Sequence, residues 1–410
     1  MDKPHVSLNL FFNFDTITIF KRSSFIGIAM KYFFATLLML SLLPFSSKGQ
    51  FFFKSKPKNL IVEVYNRNSF VVKDEVVEIP YSELLHRDKK LKPGNFKVID
   101  LSTGKEKTTQ ITYNEKKQPQ FVLIQSSNDA KQTKKYEVKE GTPASCKSLT
   151  YGRFVPERLD DFAWENDRIA HRIYGPALEK TGELSNGIDV WVKRTDSLVI
   201  NKWYKLDNYH EDHGEGLDCF KVGRTLGCGG EAPYIHDKLW FANNFVNYTV
   251  IENGPLRTTF KLDYASFNAS GVVIKEHRTI SLSAGSQLSK IVVNYEMKEK
   301  KIPVAVGLVT RNGDDKRLLQ EKYGILGYWE PKSAENGTIG QGAILPEGGK
   351  MAIAEGHLLA ISNLYRSEPF VYYAGACWDK AGRIKTAEEW FNYLKRYSEK
   401  LKSPLRVYVR

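Results

Sequence analysis

The chain has 410 residues, of which 42% are hydrophobic and 26% charged. This composition is typical of a globular protein and excludes a disordered or fibrous one. Sixty Lys and Arg against 47 Asp and Glu give a formal net charge of +13, which favours an anionic partner such as nucleic acid, a membrane surface or an acidic polysaccharide.

The first 49 residues predict a leader. A short basic region precedes the apolar run 32–43, and Ser47 and Gly49 supply small residues where a signal peptidase cuts. The pattern predicts a secretory signal peptide over about 30–49, with an over-extended gene start or an unusually long leader as alternatives for 1–29. Without the leader, 55 basic and 45 acidic residues remain, a net charge of +10.

The predicted signal peptide indicates that the protein is exported. No cysteine follows the apolar run and no later stretch is long enough to span a bilayer, so we expect a periplasmic or secreted protein without a lipid anchor or stable membrane insertion. Nucleic acid is disfavoured as the partner, because the sequence has no zinc-finger spacing, basic helical stripe or RNA-recognition aromatic motif. The four cysteines form an even set. Cys219 and Cys228 are close enough to close a small loop, with buried free thiols as the alternative.

Strand patterns dominate the region before residue 148. Short apolar runs rich in β-branched residues, separated by Asn, Lys, Gly and Pro, are typical of antiparallel strands. They lie at 60–64, 76–79 and 121–124. The Lys-rich segments 88–92 and 131–139 indicate solvated loops and strand edges. We therefore expect a small antiparallel β domain over 50–148.

From residue 149 onward the strand patterns recur and a single helix is indicated. Further apolar runs lie at 188–192, 256–262, 279–282 and 291–295. Many strands separated by turn residues are typical of a large sandwich or barrel. Near the end, Thr386 and Glu389 form a capping box, apolar residues follow at helical spacing, and Pro404 marks the stop. We expect a large antiparallel β domain over 149–410 with one C-terminal helix.

The densest group of reactive side chains lies in the segment 209–230. Two histidines and four carboxylates fall within nine residues, and six glycines shape the segment as a loop. Such a group is costly to bury unless it is paired or bound to a ligand, although a polar surface loop is the alternative. The candidates are the catalytic residues Tyr209, His210, His213, Glu215 and Asp218 and the substrate-binding Arg224. No cofactor is required, but Asp212, His210 and His213 could hold a divalent metal, calcium or zinc.

A second candidate is the segment 164–175. As a strand it places Arg168, Arg172 and Tyr174 on one face. Two guanidinium groups and a phenol are suited to grip a carboxylate. The alternative is that the arginines pair internally with Glu165 or Asp167.

Two further residues are weaker candidates, and several motifs of known reaction classes are missing from the sequence. His171 lies on the opposite face of the same strand between two isoleucines, which indicates a core residue. Trp329 could stack on a sugar ring. The sequence has no Gly-x-Ser-x-Gly elbow, no phosphate-binding glycine loop before a helix and no His-Glu-x-x-His.

Several of these stretches resemble domain-of-unknown-function family 4861. The resemblance covers roughly residues 57–410 and is carried by 164–176, 210–230, 252–257 and 374–378. It implies an exported protein of polysaccharide-degrading bacteria, since members are often encoded among pectin-degrading enzymes. The stretch 278–286 also resembles the galactose mutarotase-like supersandwich that several polysaccharide lyases share, which implies that fold for 149–410.

The expected substrate is then an acidic, uronic-acid-containing glycan and the expected reaction is β-elimination. The arginines of the segment 164–175 would neutralise the uronate carboxylate. His210 or His213 would remove the neighbouring proton, and Tyr174 or Tyr209 would protonate the leaving oxygen.

Other reactions remain open at this point. A glycoside hydrolase could use Glu215 and Asp218, or Glu211, as an acid–base pair. A sugar epimerase on the same fold and a non-catalytic carbohydrate-binding protein are further alternatives. The sequence predicts neither the sugar linkage nor the oligomeric state.

Overall fold

The computed structural model describes residues 59–206 and 208–410. The predicted leader, residues 1–49, lies outside these residues. Residues 57–410 group as one compact unit.

The described residues contain 27 strands and four α-helices. The strands of the N-terminal part are β1 (Leu60–Tyr65), β2 (Val72–Pro80), β3 (Phe96–Asp100), β4 (Glu106–Lys107), β5 (Thr109–Tyr113), β6 (Pro119–Asn128) and β7 (Thr133–Glu140). They are followed by β8 (Thr150–Val155), β9 (Asp161–Asn166), β10 (Ile169–Ile173), β11 (Asp189–Lys193), β12 (Gly216–Leu217), β13 (Cys228–Ile235), β14 (Lys238–Leu239), β15 (Phe245–Asn253), β16 (Arg257–Tyr264), β17 (Phe267–Ala269), β18 (Val272–Ser283), β19 (Leu288–Glu296), β20 (Lys301–Val309), β21 (Lys316–Gln320), β22 (Ile325–Trp329), β23 (Ile339–Ile344), β24 (Lys350–Ala354), β25 (His357–Tyr365), β26 (Phe370–Trp378) and β27 (Arg406–Val409). The helices are α1 (Tyr81–Arg87), α2 (Pro176–Glu179), α3 (Ile200–Trp203) and α4 (Ala387–Lys402).

The N-terminal part is a small two-sheet sandwich. One sheet has the order β27-β1-β7-β3-β4 and the other the order β2-β6-β5. Alternate residues of each strand enclose a core that includes Val62, Val98 and Ile124. The prediction that 131–139 lies at a strand edge is wrong, because β7 is the middle strand of its sheet.

The second part packs a nine-stranded sheet against two five-stranded sheets. The large sheet has the order β15-β16-β18-β19-β26-β23-β22-β21, with β17 paired to β18. The smaller sheets have the orders β12-β11-β10-β9-β8 and β14-β13-β20-β25-β24. Side chains of all three sheets, such as Trp164, Phe260 and Val306, share one core. The mainly antiparallel β architecture is therefore confirmed, and its supersandwich character agrees with the family resemblance.

One ionic group lies inside this core. The guanidinium of Arg278 donates from Nε to Glu276 at 2.9 Å and from Nη2 to Glu231 at 3.0 Å. The hydroxyl of Tyr295 donates to the other oxygen of Glu231 at 2.6 Å. All these side chains are almost completely buried.

The predicted helix is present as α4. Its first turn is capped by Thr386, whose hydroxyl accepts a hydrogen bond from the Glu389 N–H at 3.2 Å. The reciprocal bond to Glu389 comes from the Lys385 N–H rather than from Thr386. Trp390 and Leu394 pack on β22 and β23, where a Cβ on Gly342 would lie 2.6 Å from Leu394. The helix therefore needs glycine at this position to approach the sheet.

Two observations bear on the remaining sequence predictions. Within residues 59–206 and 208–410, no helix is long and apolar enough to cross a membrane. The boundary between domains 50–148 and 149–410 stays a prediction, and the structure adds that β27 pairs with β1 in the N-terminal sheet.

Candidate functional site

The candidate site is built on the outer face of the sheet β12-β11-β10-β9-β8. Arg172 of β10 lies directly opposite Asp189 of β11, and Ala170 lies opposite Trp191. Because side chains alternate along a strand, these four share one face. Val199, Trp203 and Tyr209 pack on Trp191 and Ala170. Residues 199–206 and 208–218 therefore cover this face.

A buried carboxylate fastens the covering segment to the sheet. Glu165 of β9 accepts hydrogen bonds from the backbone N–H groups of Val199 and Ile200, each at 2.8 Å. The Lys193 ammonium donates to the same carboxylate at 2.8 Å. Both charged side chains are fully buried. The ion pair thus fixes the start of α3 against β9 and β11.

One guanidinium and three carboxylates form the centre of the site, which we call the Arg172 cluster. Arg172 donates from Nε and Nη2 to Asp189 Oδ2 at 3.0 and 2.6 Å. Its Nη2 also donates to Asp218 Oδ2 at 3.1 Å, and its Nη1 lies 3.6 Å from Asp161 Oδ2. All four residues are buried, so a single cation faces three acidic groups.

The Arg172 cluster retains protons close to neutral pH. Burial raises the pKa of Asp161 from 3.8 to about 7, against the opposing effect of Arg172. Burial and then the neighbouring Asp189 raise the pKa of Asp218 well above its ordinary value. Three ionised carboxylates beside one guanidinium would leave uncompensated charge in a buried site, which protonation relieves. The cluster therefore contains carboxylic acids that can donate hydrogen bonds.

Tyr174 connects this cluster to solvent. Its hydroxyl donates to Asp189 Oδ2 at 3.2 Å, and the side chain is partly exposed. Burial and the charge of Asp189 raise its pKa well above 10. The phenol therefore remains protonated and is a proton donor rather than a base.

His210 provides an exposed nitrogen base at the same cluster. Its Nδ1 lies 2.9 Å from the backbone oxygen of Asp218 and 3.5 Å from the carboxylate of that residue. The side chain is 53% exposed. Its ring centroid lies 4.4 Å from that of Tyr209, whose hydroxyl accepts a long hydrogen bond of 3.5 Å from Arg172. An imidazole and two phenols thus surround the buried acids.

Other residues of the loop have different partners. The Nε2 of His213 lies 3.0 Å from the backbone oxygen of Asn208. The carboxylate of Glu215 pairs with Lys202 at 2.7 Å, which lowers its pKa. Both His213 and Glu215 line a depression of about 30 Å³ that Tyr209 borders. Glu215 and Asp218 therefore face different cations, and their role as an acid–base pair stays a prediction.

The proposed metal ligands also diverge. Asp212 pairs with Arg194, while His210 and His213 each contact a backbone oxygen. In the part of the chain that the structure describes, no group of three or more His, Cys, Asp or Glu side chains is arranged to hold a metal ion. A divalent metal stays a prediction.

The structure does not bring the other substrate-binding candidates to the Arg172 cluster. Arg168 instead pairs with Asp167 at 3.2 Å and with two further carboxylates, so the paired-arginine grip is not formed. Arg224 lies over the ring of Phe241. Trp329 packs partly buried among the residues that face α4.

His171 and the cysteines have structural surroundings. His171 is buried on the opposite face, stacked on Trp164 with ring centroids 5.2 Å apart. Burial lowers its pKa to about 4, so it is neutral. All four cysteines of the described residues are free thiols, and Cys219 forms no disulfide with Cys228.

Two acidic residues of the Arg172 cluster were missed by the sequence reasoning. Asp161 begins a short apolar run and Asp189 stands within another, and an acid in such a run is the signal that could have singled them out. Glu330 lies at the end of β22, where Gln341 donates to it at 2.7 Å. Burial raises its pKa to about 7.

The Asp161 carboxyl gives the stability of the protein a measurable pH dependence. Its pKa is raised in the folded state, so the folded chain holds a proton that the unfolded chain releases above pH 3.8. The free energy of unfolding should therefore fall as pH rises from about 4 to about 7. The Asp161→Asn variant lacks this carboxyl group, so its free energy of unfolding should fall less over the same pH window. Urea unfolding on either side of the window measures the difference, and equal slopes for both proteins would contradict it.

Comparisons with known proteins show the family to which this chain belongs. "Uncharacterized protein P7" of Formosa agariphila is 31% identical over 382 residues, covering 87% of this chain and 95% of that protein. An alpha-mannosidase from Enterococcus faecalis V583 and a protein in the glycosyl hydrolase family 38 from the same species are similar in structure, each with a TM-score of 0.45, at 10% and 11% identity. Each comparison covers 86% of this chain but only 46% and 47% of those chains, so the chain spans about half their length. The family model described as "Domain of unknown function (DUF4861)" matches residues 64–407, and the chain therefore belongs to this family.

Proposed function

We propose that this chain is an exported carbohydrate-active protein that processes uronic-acid-containing oligosaccharides by β-elimination at the Arg172 cluster. One observation carries the proposal. Arg172 and Tyr174 of one sequence segment meet Tyr209, His210 and Asp218 of another around a single buried charge cluster.

The residues of the cluster supply the groups that β-elimination needs. His210 would take the proton from the carbon beside the uronate carboxylate. The electron pair of that C–H bond would form the new double bond as the glycosidic C–O bond breaks. Tyr174, which remains protonated, would give its proton to the leaving oxygen.

Arg172 and the protonated acids would bind and neutralise the uronate carboxylate. Among the residues that the structure describes, the Nη1 of Arg172 has only long contacts, at 3.5 Å to Tyr209 and 3.6 Å to Asp161. It therefore retains capacity for another acceptor. Asp161 and Asp218, when protonated, would donate hydrogen bonds rather than repel the substrate. Elimination should then weaken as pH rises through about 7 and Asp161 ionises.

The substrate class and the place of action are supported by charge and by the sequence. A net charge of +10 after removal of the leader raises the local concentration of an acidic glycan. The predicted signal peptide supports a periplasmic or secreted location. The resemblance of the sequence to a family found in polysaccharide-degrading bacteria supports a glycan of pectin-like composition.

The test is elimination by the purified protein on polygalacturonate, rhamnogalacturonan and other uronate glycans, followed by the ultraviolet absorbance of the new double bond. We expect His210→Gln and Tyr174→Phe each to lower the rate by about a hundredfold or more, the usual contribution of general acid–base groups. The matched control is His213→Gln, a second histidine of the same loop that contacts only a backbone oxygen. No absorbance from any glycan, or equal losses in the His210 and His213 variants, would contradict the proposal.

A hydrolase is the second candidate, because the raised pKa of Asp161 is a property of a general acid. Asp161 and Asp218 would then be the acid and base on either side of the glycosidic bond. Product analysis separates the two reactions, since a hydrolase leaves saturated sugar ends and a lyase leaves unsaturated ones. Binding without any product would identify a non-catalytic carbohydrate-binding protein.

A further inference from the structure

A much larger cavity than the depression beside Tyr209 opens in the N-terminal sandwich. Its volume is about 750 Å³, and it lies at one end of the sandwich, where residues of β2, β6 and β7 line it. Lys73, Lys134 and Lys135 are in its wall, with Asp129 as the one carboxylate among the lining residues of the described chain. We call it the lysine groove.

The groove is positively charged, and one of its three lysines lies at an inward position at the end of the core. Lys134 shares a face of β7 with the buried Tyr136 and Val138, and it lies opposite the buried Val64. Such inward positions normally carry apolar side chains. Lysine there opens the end of the sandwich to water instead of closing it.

A second inward lysine, outside the wall of the groove, lies near Lys134. Lys107 of β4 lies opposite the buried Val98. Burial lowers the pKa of Lys107, Asp100 opposes this effect, and the nearby Lys134 lowers the pKa further. Two ammonium groups therefore repel each other at this end of the sandwich.

The neighbouring acids make their hydrogen bonds and ion pairs with other groups, although the charge of Asp100 still acts on Lys107 and Lys134. The Asp100 carboxylate accepts hydrogen bonds from the backbone N–H and hydroxyl of Ser102 at 2.9 and 2.6 Å. Asp74 pairs with Arg168 at 3.3 Å. Within residues 59–206 and 208–410, Lys135 pairs with Glu63 at 3.2 Å, whereas Lys73 and Lys134 have no carboxylate at ion-pair distance. These two ammonium groups can bind an external anion.

The rest of the wall matches the chemistry of a sugar. Val71 and Leu101 are 42% and 48% exposed and give the groove apolar patches. Gln132 and Thr133 line it with amide and hydroxyl groups. A pyranose ring carrying a carboxylate presents apolar C–H groups, hydroxyls and one negative charge.

We infer that the lysine groove binds the anionic sugar units of a uronic-acid-containing glycan, as a binding site separate from the Arg172 cluster. The inference rests on the proposed function for the choice of glycan. It concerns binding alone and requires no cleavage. The groove would hold a long substrate on the protein while the Arg172 cluster acts on another part of it.

The experiment measures the affinity of the full chain for polygalacturonate by calorimetry. His210→Gln is present in every binding sample to prevent turnover. The double variant Lys73→Ala/Lys134→Ala should bind about tenfold more weakly, as expected for lost charged hydrogen bonds. The control is Lys89→Ala/Lys90→Ala, which removes two exposed lysines of the same sandwich and should bind as the parent does. Methyl-esterified polygalacturonate, the same polymer without its charges, should bind weakly to all variants.

Several outcomes would overturn the inference. These are unchanged affinity in the groove variant, an equal loss in the control variant, or dextran sulfate binding as tightly as polygalacturonate, which would indicate attraction to any polyanion. Unchanged melting temperatures confirm that the variants are folded. With His210 restored, elimination of short oligosaccharides should be unaffected by the groove variant. If the protein eliminates no glycan but its binding still depends on the groove lysines, the proposed function is contradicted and this inference stands.

Discussion

Arg278→Met is expected to lower the free energy of unfolding by about 3 to 5 kcal/mol, the usual effect of removing one partner from a buried ionic group. The substitution leaves the carboxylates of Glu231 and Glu276 in the core without their cation. Denaturant unfolding measures the loss. The control is Arg396→Met on the exposed face of α4, where we expect a change of no more than about 0.5 kcal/mol.

The pH dependence of this variant tests the physical reason for the loss. Burial raises the pKa of Glu276 well above 4.5, and Arg278 opposes that effect. Without Arg278, the Glu276 carboxyl holds its proton more strongly in the folded state. In the unfolded chain, the same carboxyl releases its proton above pH 4.5. The destabilisation should therefore grow as pH rises. Adding Glu231→Gln and Glu276→Gln should recover part of the stability, and a loss that is independent of both pH and these changes would contradict the explanation.

Glu165→Ala is expected to cost a similar amount, about 3 to 5 kcal/mol, and to act on the candidate site. It leaves the Lys193 ammonium buried and the N–H groups of Val199 and Ile200 without their acceptor. Residues 199–206 and 208–218, which include Tyr209, His210 and Asp218, then lose these hydrogen bonds to β9. Hydrogen exchange should become faster in this segment than in the strands beneath it.

An exposed carboxylate provides the comparison. Glu157 pairs with Arg153 near the surface, and Glu157→Ala should change stability by less than about 1 kcal/mol. Glu165→Gln keeps one acceptor oxygen and should cost less than Glu165→Ala. Unchanged exchange in 199–218 after Glu165→Ala would show that other contacts hold the segment.

Local sequence patterns were sufficient to predict many strands, the C-terminal helix and part of the candidate site. Alternation of side chains placed Arg172 and Tyr174 on one face, and the Thr386 capping box located the start of α4. The pairing of Arg168 with its neighbour Asp167 was among the sequence alternatives, but partners from distant segments were not predictable. Arg168, just before β10, also pairs with Asp74 and Asp196, which only the folded chain brings near.

The acids of the Arg172 cluster show a second limit. Asp161 and Asp189 follow no motif spacing, since Asp161 lies on β9, Asp189 on β11 and the third acid just after β12. The position of β7 shows a third limit. Its lysines resemble those of an edge strand, but whether a strand is central depends on which others pair with it, here β1 and β3.

The pairing of β27 with β1 has a consequence for biosynthesis. Arg410 and Glu63, which form a hydrogen bond beside this pairing, are 347 positions apart in the chain. During translation β1 emerges early, yet one of its edges stays unpaired until residues 406–409 have left the ribosome. An open strand edge invites association with other chains. The nascent N-terminal sheet is therefore a natural client for a chaperone, and it would be protected if the chain is exported before it folds.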